Sequence, residues 1–313
     1  MRLTIRHRNY VVVAAGIVLA LLLSGSSTEQ EAQGPMAAAP APSVDCQVDS
    51  AGGTLAGVPE ASGVAASRRT EGMLWVNGDG PEPVVYAVSV AGEPAGQVKI
   101  RGAGTKDWEA VAVAECDAGS CLYVADIGDN GGKRKSIAVY RVTEPLPTDS
   151  ESAVAQVFHA EYPDGAQDAE AMWVTDRREV YIVTKGETKS VSVYRFPKTA
   201  RNKHTSKLEK IVSLADKDPK RRDMVTDAGI SPDGKWVVLR TSSALLFYPS
   251  AGLAAGKAGE PSRFDLASLK EPQGEGVALL DDGTVYLVGE GGSPTKPSTF
   301  AVLKCDLTPV PSP

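Results

Sequence analysis

Histidine is nearly absent from this chain. Three occur in 313 residues, and only His159 and His204 lie beyond the first 27. His159 falls in an alternating β pattern and His204 in a basic loop, so neither reads as a catalytic base. The sequence also lacks a GxSxG elbow, an HExxH helix and a P-loop, which argues against serine–histidine hydrolysis, zinc-protease chemistry and P-loop phosphate binding. It has no CxxC, and its cysteine spacing is not that of a zinc site. Basic charge is short as well: 33 Lys and Arg against 39 Asp and Glu leave a net charge of −6. A nucleic-acid partner needs a basic face, and none is supplied. Helical periodicity is scarce beyond the N-terminal segment.

The chain opens "MRLTIRHRNYVVVAAGIVLALLLSGSS". Basic residues, an apolar run over residues 11–23 and small residues follow one another in the order of an export signal. The run is short for a membrane span of roughly 20 residues, so no span is expected after cleavage. We read residues 1–27 as the signal, with cleavage near residues 24–27 or later. "LLLSGSS" resembles a bacterial lipoprotein signal with Ser where the lipidated Cys would stand, so a secreted protein, released or weakly retained, is expected. Residues 28–43 are small, polar and Ala/Pro-rich and read as a flexible linker. The folded part should span residues 44–307, with a frayed tail at 308–313. About 260 residues suit one all-β domain of propeller size, with two small domains as the alternative.

The four cysteines lie in the part expected to be exported, where disulfides are permitted. Of the three possible pairings we take Cys116–Cys121, which flank "DAGS", and Cys46–Cys305, at the two ends of the folded region.

Short β-rich runs separated by Gly, Pro, Asp and Asn dominate the rest, and they repeat. "WEAVAVAE…CLYVADIGDN…SIAVYRV" is echoed by "AEAMWVTD…EVYIVTKGE…VSVYRFP", by "TDAGISPD…KWVVLRTSS…ALLFYPS" and by "GEGVALLDD…TVYLVGEGG…FAVLKCDL", and "SGVAAS…GMLWVNGDG…VVYAVSV" precedes them. Aligning Gly63, Glu109, Glu170, Asp227 and Glu275 gives spacings of 46, 61, 57 and 48 by subtraction. That period predicts an all-β fold, a single five-bladed β-propeller. A two-sheet sandwich would not explain the recurrence, and a sixth, degenerate blade would have to hide in residues 44–62 or 198–226. The fifth unit shows only three strands. "SVDCQVDS" from the other end can supply the fourth, closing the ring and bringing Cys46 beside Cys305.

In a propeller the loop leading into each inner strand and the loop joining strands two and three share one face. The repeat therefore gathers Glu109, Asp126, Glu170, Lys185, Asp227, Arg240, Glu275 and Glu290 around a single channel mouth as candidate ligand-binding residues, together with Asn77, Asp79, Asp107, Asp129, Asp168 and Glu187. So many carboxylates repel one another unless a cation joins them: Lys185, Arg240, a cationic ligand group or calcium. Glu109, Asp126, Glu170 and Glu275 are the candidate metal ligands. Within "LYVADIGDNGGKRKS" an EF-hand fails, because its twelfth position is Ile137. Asp126 is expected to point inward, Asp129 and Asn130 to shape the turn, and residues 133–135 to face water. "SPDGKW" reads as turn chemistry, and Trp75, Trp108, Trp173 and Trp236 as packing between blades, with Trp108 close enough to Glu109 to reach the mouth.

At "DWEAVAV", "DAEAM" and "GEGVAL" the chain resembles secreted bacterial propellers of the esterase-like phytase and SMP-30/gluconolactonase type. The resemblance implies acidic residues at the channel mouth, often around Ca2+, and in some members hydrolysis of phosphoesters or lactones. It would make Glu109, Glu170 and Glu275 metal or ligand residues and Asp126 a second-loop ligand. Asp227 in place of Glu, and Gly63 without a carboxylate, depart from that pattern. The expected function is an exported, monomeric binding propeller for a small polar ligand or an envelope protein, with calcium as one route. The alternatives are a calcium-dependent hydrolase of phosphoesters or lactones and a cell-envelope scaffold without mouth chemistry.

Overall fold

Strands two and three of each repeat, such as "WVVLRT" and "VYIVT", are apolar almost without interruption, as befits strands covered on both faces. In a computed structural model of the chain, which describes residues 43–216, 224–291 and 296–307, they are the middle strands of sheets stacked face to face. The expected signal, most of the linker and the tail lie outside the described residues.

Five sheets are formed in chain order, each built on a core of four antiparallel strands. Blade 1 comprises β2 (Ala61–Ala66), β3 (Met73–Gly78), β4 (Val84–Ser89) and β5 (Pro94–Lys99). Blade 2 comprises β6 (Trp108–Cys116), β7 (Gly119–Asp126), β8 (Ile137–Thr143) and β9 (Gln156–Glu161). Blade 3 takes β10 (Ala169–Val174), β11 (Val180–Thr184), β12 (Val191–Arg195) and β14 (Glu209–Ala215). Blade 4 takes β15 (Val225–Ile230), β16 (Trp236–Thr241), β17 (Ala244–Pro249) and β18 (Ser262–Asp265). Blade 5 is β19 (Gln273–Leu279), β20 (Thr284–Glu290) and β21 (Ser298–Leu307), completed on its outer side by β1 (Val44–Leu55).

The protein is thus a five-bladed β-propeller, closed by its own first strand. Cys46 faces Cys305 in the β1–β21 ladder and is bonded to it, and the second disulfide joins Cys116 to Cys121. The segments that could have hidden a sixth blade are used otherwise. Residues 44–55 form β1, and β13 (Thr205–Lys207) adds in parallel to the outer edge of blade 2 at β9.

The core lies between blades. All four tryptophans are buried there, and Trp108 stays in the wall, donating from Nε1 to the Gly104 carbonyl at 2.9 Å. One carboxylate is buried with them. Glu144, just after β8, has no exposed surface. It accepts from Ser67 Oγ at 2.6 Å, from Trp75 Nε1 at 2.9 Å and from Ser120 Oγ, tying blade 2 to blade 1. No sequence motif marks it.

The inner strands β2, β6, β10, β15 and β19 adjoin in a ring so tight that side chains on the facing positions must be small. A Cβ on Gly63 would lie 2.9 Å from Ala110 Cα and 2.9 Å from Val111 N in the next blade. The missing carboxylate at Gly63 is therefore a packing requirement.

Candidate functional site

At the same level of every inner strand the ladder slips by one residue: between Ala61 and Val64, Trp108 and Ala110, Ala169 and Ala171, Val225 and Asp227, and Gly274 and Gly276. A bulged residue is released from the pleat and its side chain re-aimed. Here the released residues include Ser62, Glu109, Glu170, Thr226 and Glu275, and all five line one cavity of about 340 Å3 at the channel mouth. The two hydroxyls sew the ring together. Ser62 Oγ donates to the Glu109 carbonyl at 2.7 Å, and Thr226 Oγ1 to the Glu275 carbonyl at 2.8 Å.

This geometry corrects the sequence alignment in two units. Ser62, not Gly63, is the counterpart of Glu109, and Thr226, not Asp227, is the counterpart of Glu170. One residue further along a strand points elsewhere. Asp227 is fully buried and accepts from Val277 N, in blade 5, at 2.8 Å. Burial drives its carboxyl well above the usual range, against the backbone donors that hold it.

Among the loops between strands two and three, Asp79, Lys185 and Glu290 reach the cavity, as does Asn130, whose Oδ1 accepts from Lys185 Nζ at 3.4 Å. Asp126 and Arg240 do not line it. Asp126 is ion-paired to Arg134 at 2.7 Å, and Arg134 also donates to the Gly128 carbonyl at 2.7 Å and the Asp126 carbonyl at 3.0 Å. Arg134 is therefore half-buried and folded back onto its loop, contrary to the solvent-facing role expected of it. Asp129 shapes the turn as expected, accepting from Lys133 N at 2.9 Å and Arg134 N at 2.8 Å. Arg240 has no exposed surface. It donates to the Gly276 and Val288 carbonyls, each at 2.7 Å, and pairs with Glu271 at 2.5 Å. Asn77 does the same work in blade 1, accepting from Gly63 N at 3.2 Å and donating to the Trp108 carbonyl at 3.1 Å. These side chains satisfy backbone groups that the bulges leave unpaired, a demand invisible in a linear repeat. Glu187 is exposed and lies outside the cavity.

Burial and mutual crowding raise the carboxyls of the mouth. Burial raises the Glu109 carboxyl well above its ordinary range, and the nearby Glu170, Asp107 and Asp79 charges add to the shift. Gly128 allows this crowding, since a Cβ there would fall 2.5 Å from Asp107 Oδ2 and against Glu109 Oε1. Glu170 is raised by burial too, but the Lys185 ammonium, 2.6 Å from its Oε1, opposes the shift. Burial works against the Lys185 charge, and Glu170 and Asp168, with Glu109, outweigh it and hold its pKa above the usual value. Burial likewise pushes Asp79 up to about 6 and Glu275 up to about 7.

A carboxyl whose pKa rises on folding contributes stability below its unfolded value, and loses it as pH climbs through the folded value. Wild-type stability should therefore fall between about pH 4.5 and pH 7 on account of Glu275. We expect Glu275→Gln to be near neutral at acid pH and stabilising by on the order of 2–3 kcal/mol at about pH 8. Urea unfolding at the two pH values measures the difference, and a pH-independent one would refute burial as the cause.

Calcium was expected on Glu109, Asp126, Glu170 and Glu275. Three of the four face the cavity, but Lys185 Nζ takes the cationic position beside Glu170 and lies 3.8 Å from Asp168 Oδ2. Among the described residues no three acidic, histidine or cysteine side chains converge to hold a metal. As arranged, the residues do not fit calcium.

No protein-family model matches the sequence, and no curated protein matches it. Solved structures similar in architecture include a gluconolactonase from Xanthomonas campestris, at 9% identity and a TM-score of 0.44 over 79% of this chain and 72% of that one. A soluble aldose sugar dehydrogenase from Escherichia coli matches at 9% identity and a TM-score of 0.46, over 85% and 100% of the two chains. A calcium-binding regucalcin from Agrobacterium tumefaciens matches at 12% identity and a TM-score of 0.40, over 82% and 96%. These likenesses are of propeller architecture alone.

Proposed function

We propose that this chain is an exported binding propeller whose mouth takes a small polar ligand bearing an amine. One observation carries the reading. Six carboxyls, those of Asp79, Glu109, Glu170, Glu271, Glu275 and Glu290, line a cavity of about 340 Å3 in which Lys185 is the single basic side chain among the described residues. Arg240 neutralises Glu271 from behind, and Lys185 serves Glu170, so the remaining acids hold protons or unmatched charge. A ligand ammonium would replace those protons, meeting acceptors on several blades at once. Among the described residues no aromatic side chain lines the cavity, so they offer no face on which a sugar ring would stack. Export is supported by the signal-like pattern of residues 1–27 and by the pairing of all four cysteines in disulfides.

A second reading, hydrolysis of lactones or phosphoesters, draws support from the Glu109–Glu170 pair. Burial pushes the Glu109 carboxyl upward beside Glu170, which is paired with Lys185, an unequal arrangement suited to acid–base work.

Calorimetric titration of the full chain with 1,4-diaminobutane separates the readings. Because binding displaces protons, we expect it to be roughly tenfold tighter at about pH 8 than at about pH 5.5. Glu109→Gln with Glu170→Gln should weaken it by roughly tenfold or more while the fold persists. Calcium should bind more weakly than the diamine. Silence toward the diamine at both pH values would sink the binding proposal, and turnover of a δ-lactone or an aryl phosphate would favour the enzyme instead.

A further inference from the structure

A second cavity, of about 420 Å3, lies between blades 2 and 3, away from the acidic mouth, and its chemistry is the reverse. Its wall is apolar and aromatic, with Tyr123 and Val139 of blade 2 and Phe158 of β9 facing Val180 and Phe196 of blade 3. Register explains the grouping. Tyr123 pairs across the ladder with Arg141, and Val139 with Phe158, so these side chains share the face of blade 2 that looks toward blade 3.

Four cations surround this wall against one carboxylate, Glu179. Two of the four are spoken for: Arg178 pairs with Asp117 at 2.6 Å, and Lys198 with Glu179 at 3.3 Å. The other two have no counter-anion among the described residues. Arg141 bonds only the neutral Gln156 amide and lies over the Phe158 ring, 5.2 Å from its centre. Arg177, on the exposed β10–β11 turn, has no ion pair or hydrogen bond among the described residues. The Tyr123 side chain is 2% exposed, and its hydroxyl finds no hydrogen-bond partner among the described residues. A buried hydroxyl normally has one, so its orphaning points to an acceptor supplied from outside.

We propose that this inter-blade cavity binds a small aromatic carboxylate. The ring would lie against Phe158 and Phe196, and the carboxylate would meet Arg177 and Arg141 with the Tyr123 hydroxyl in reach. The volume falls within the range of small-molecule sites, roughly 300–1,000 Å3. Planar guanidinium and planar carboxylate match each other in two parallel hydrogen bonds. The apolar wall disfavours a bare anion, and the unmatched guanidiniums disfavour a neutral ring.

Ligand-observed NMR titration of the full chain with 2-naphthoate tests this, using 2-naphthalenemethanol and inorganic phosphate as partial probes. At low salt 2-naphthoate should saturate with a dissociation constant of about 0.1 mM, and each partial probe should bind roughly tenfold more weakly or less. Arg177→Ala removes only an exposed, unpaired guanidinium and should weaken 2-naphthoate roughly fivefold, with the loss shrinking as salt is raised. Tyr123→Phe should weaken it as well without lowering the melting temperature, since no bond within the protein is lost. Failure of 2-naphthoate to saturate, equal binding of phosphate, or an affinity untouched by Arg177→Ala would each overturn the proposal.

Discussion

Replacing Cys46 and Cys305 by serine is expected to destabilise the propeller by about 3–5 kcal/mol and to end its all-or-none unfolding. The two cysteines are 259 residues apart in sequence and meet only because β1 returns to complete blade 5. In the chain-entropy picture a cross-link stabilises by restricting the unfolded chain, and the effect grows with the loop it closes. The loss also has a place. Without the bond, β1 is held to β21 by its ladder alone, at the edge of a sheet, so fraying there reopens the ring. Hydrogen exchange should quicken first in β1 and β21 while blades 2 and 3 stay protected. The Cys116–Cys121 bond joins residues only 5 apart, so its removal should cost roughly 2 kcal/mol or less and leave unfolding cooperative. Urea unfolding of both double variants makes the comparison, and equal losses would show that closure depends on something other than the terminal bond.

Glu144→Ala is expected to cost about 3–5 kcal/mol, as much as deleting a buried charge partner elsewhere. The carboxylate is fully buried and is the acceptor for Ser67 Oγ, Trp75 Nε1 and Ser120 Oγ, while its own backbone carbonyl accepts from Arg69 Nη1 at 2.6 Å. Truncation leaves three donors unmatched and a void between blades 1 and 2. Glu144→Gln keeps an acceptor oxygen at the same reach, and serine hydroxyls can turn to accept from its amide, so it should retain more than half of the lost stability. Thermal melts followed by tryptophan fluorescence would report both variants, because Trp75 loses its partner only in the alanine form. If alanine and glutamine behaved alike, the three hydrogen bonds would not be what holds this joint.

Much of the fold was legible because propeller strands are a local matter. A strand covered on both faces must be apolar, and the turns between strands must bend, so the strand order and the five repeats stand in the residues themselves. The closing strand and its disulfide were also readable, since a fifth unit one strand short can be completed only by the other end. The mouth was half legible. Glu109, Glu170, Lys185, Glu275 and Glu290 reach the cavity, whereas Asp126, Asp227 and Arg240 hold backbone instead. Ser62 and Thr226 were missed because a repeat alignment rewards acidic residues, and neither is acidic.

By itself, then, the sequence determined the all-β class, the five-fold repeat, the join of the two ends and the acidic character of one face. These follow from composition and period, which every residue carries independently of its neighbours in space. Only the tertiary structure decided which carboxylates face the cavity and which brace the ring. That choice turns on a one-residue bulge in each inner strand, and in an extended chain one residue is the difference between facing the channel and facing the next blade. The basic, aromatic cavity between blades 2 and 3 belongs to the same category. Its walls come from separate blades, and nothing in the sequence shows that Tyr123, Phe158, Arg177 and Phe196 meet.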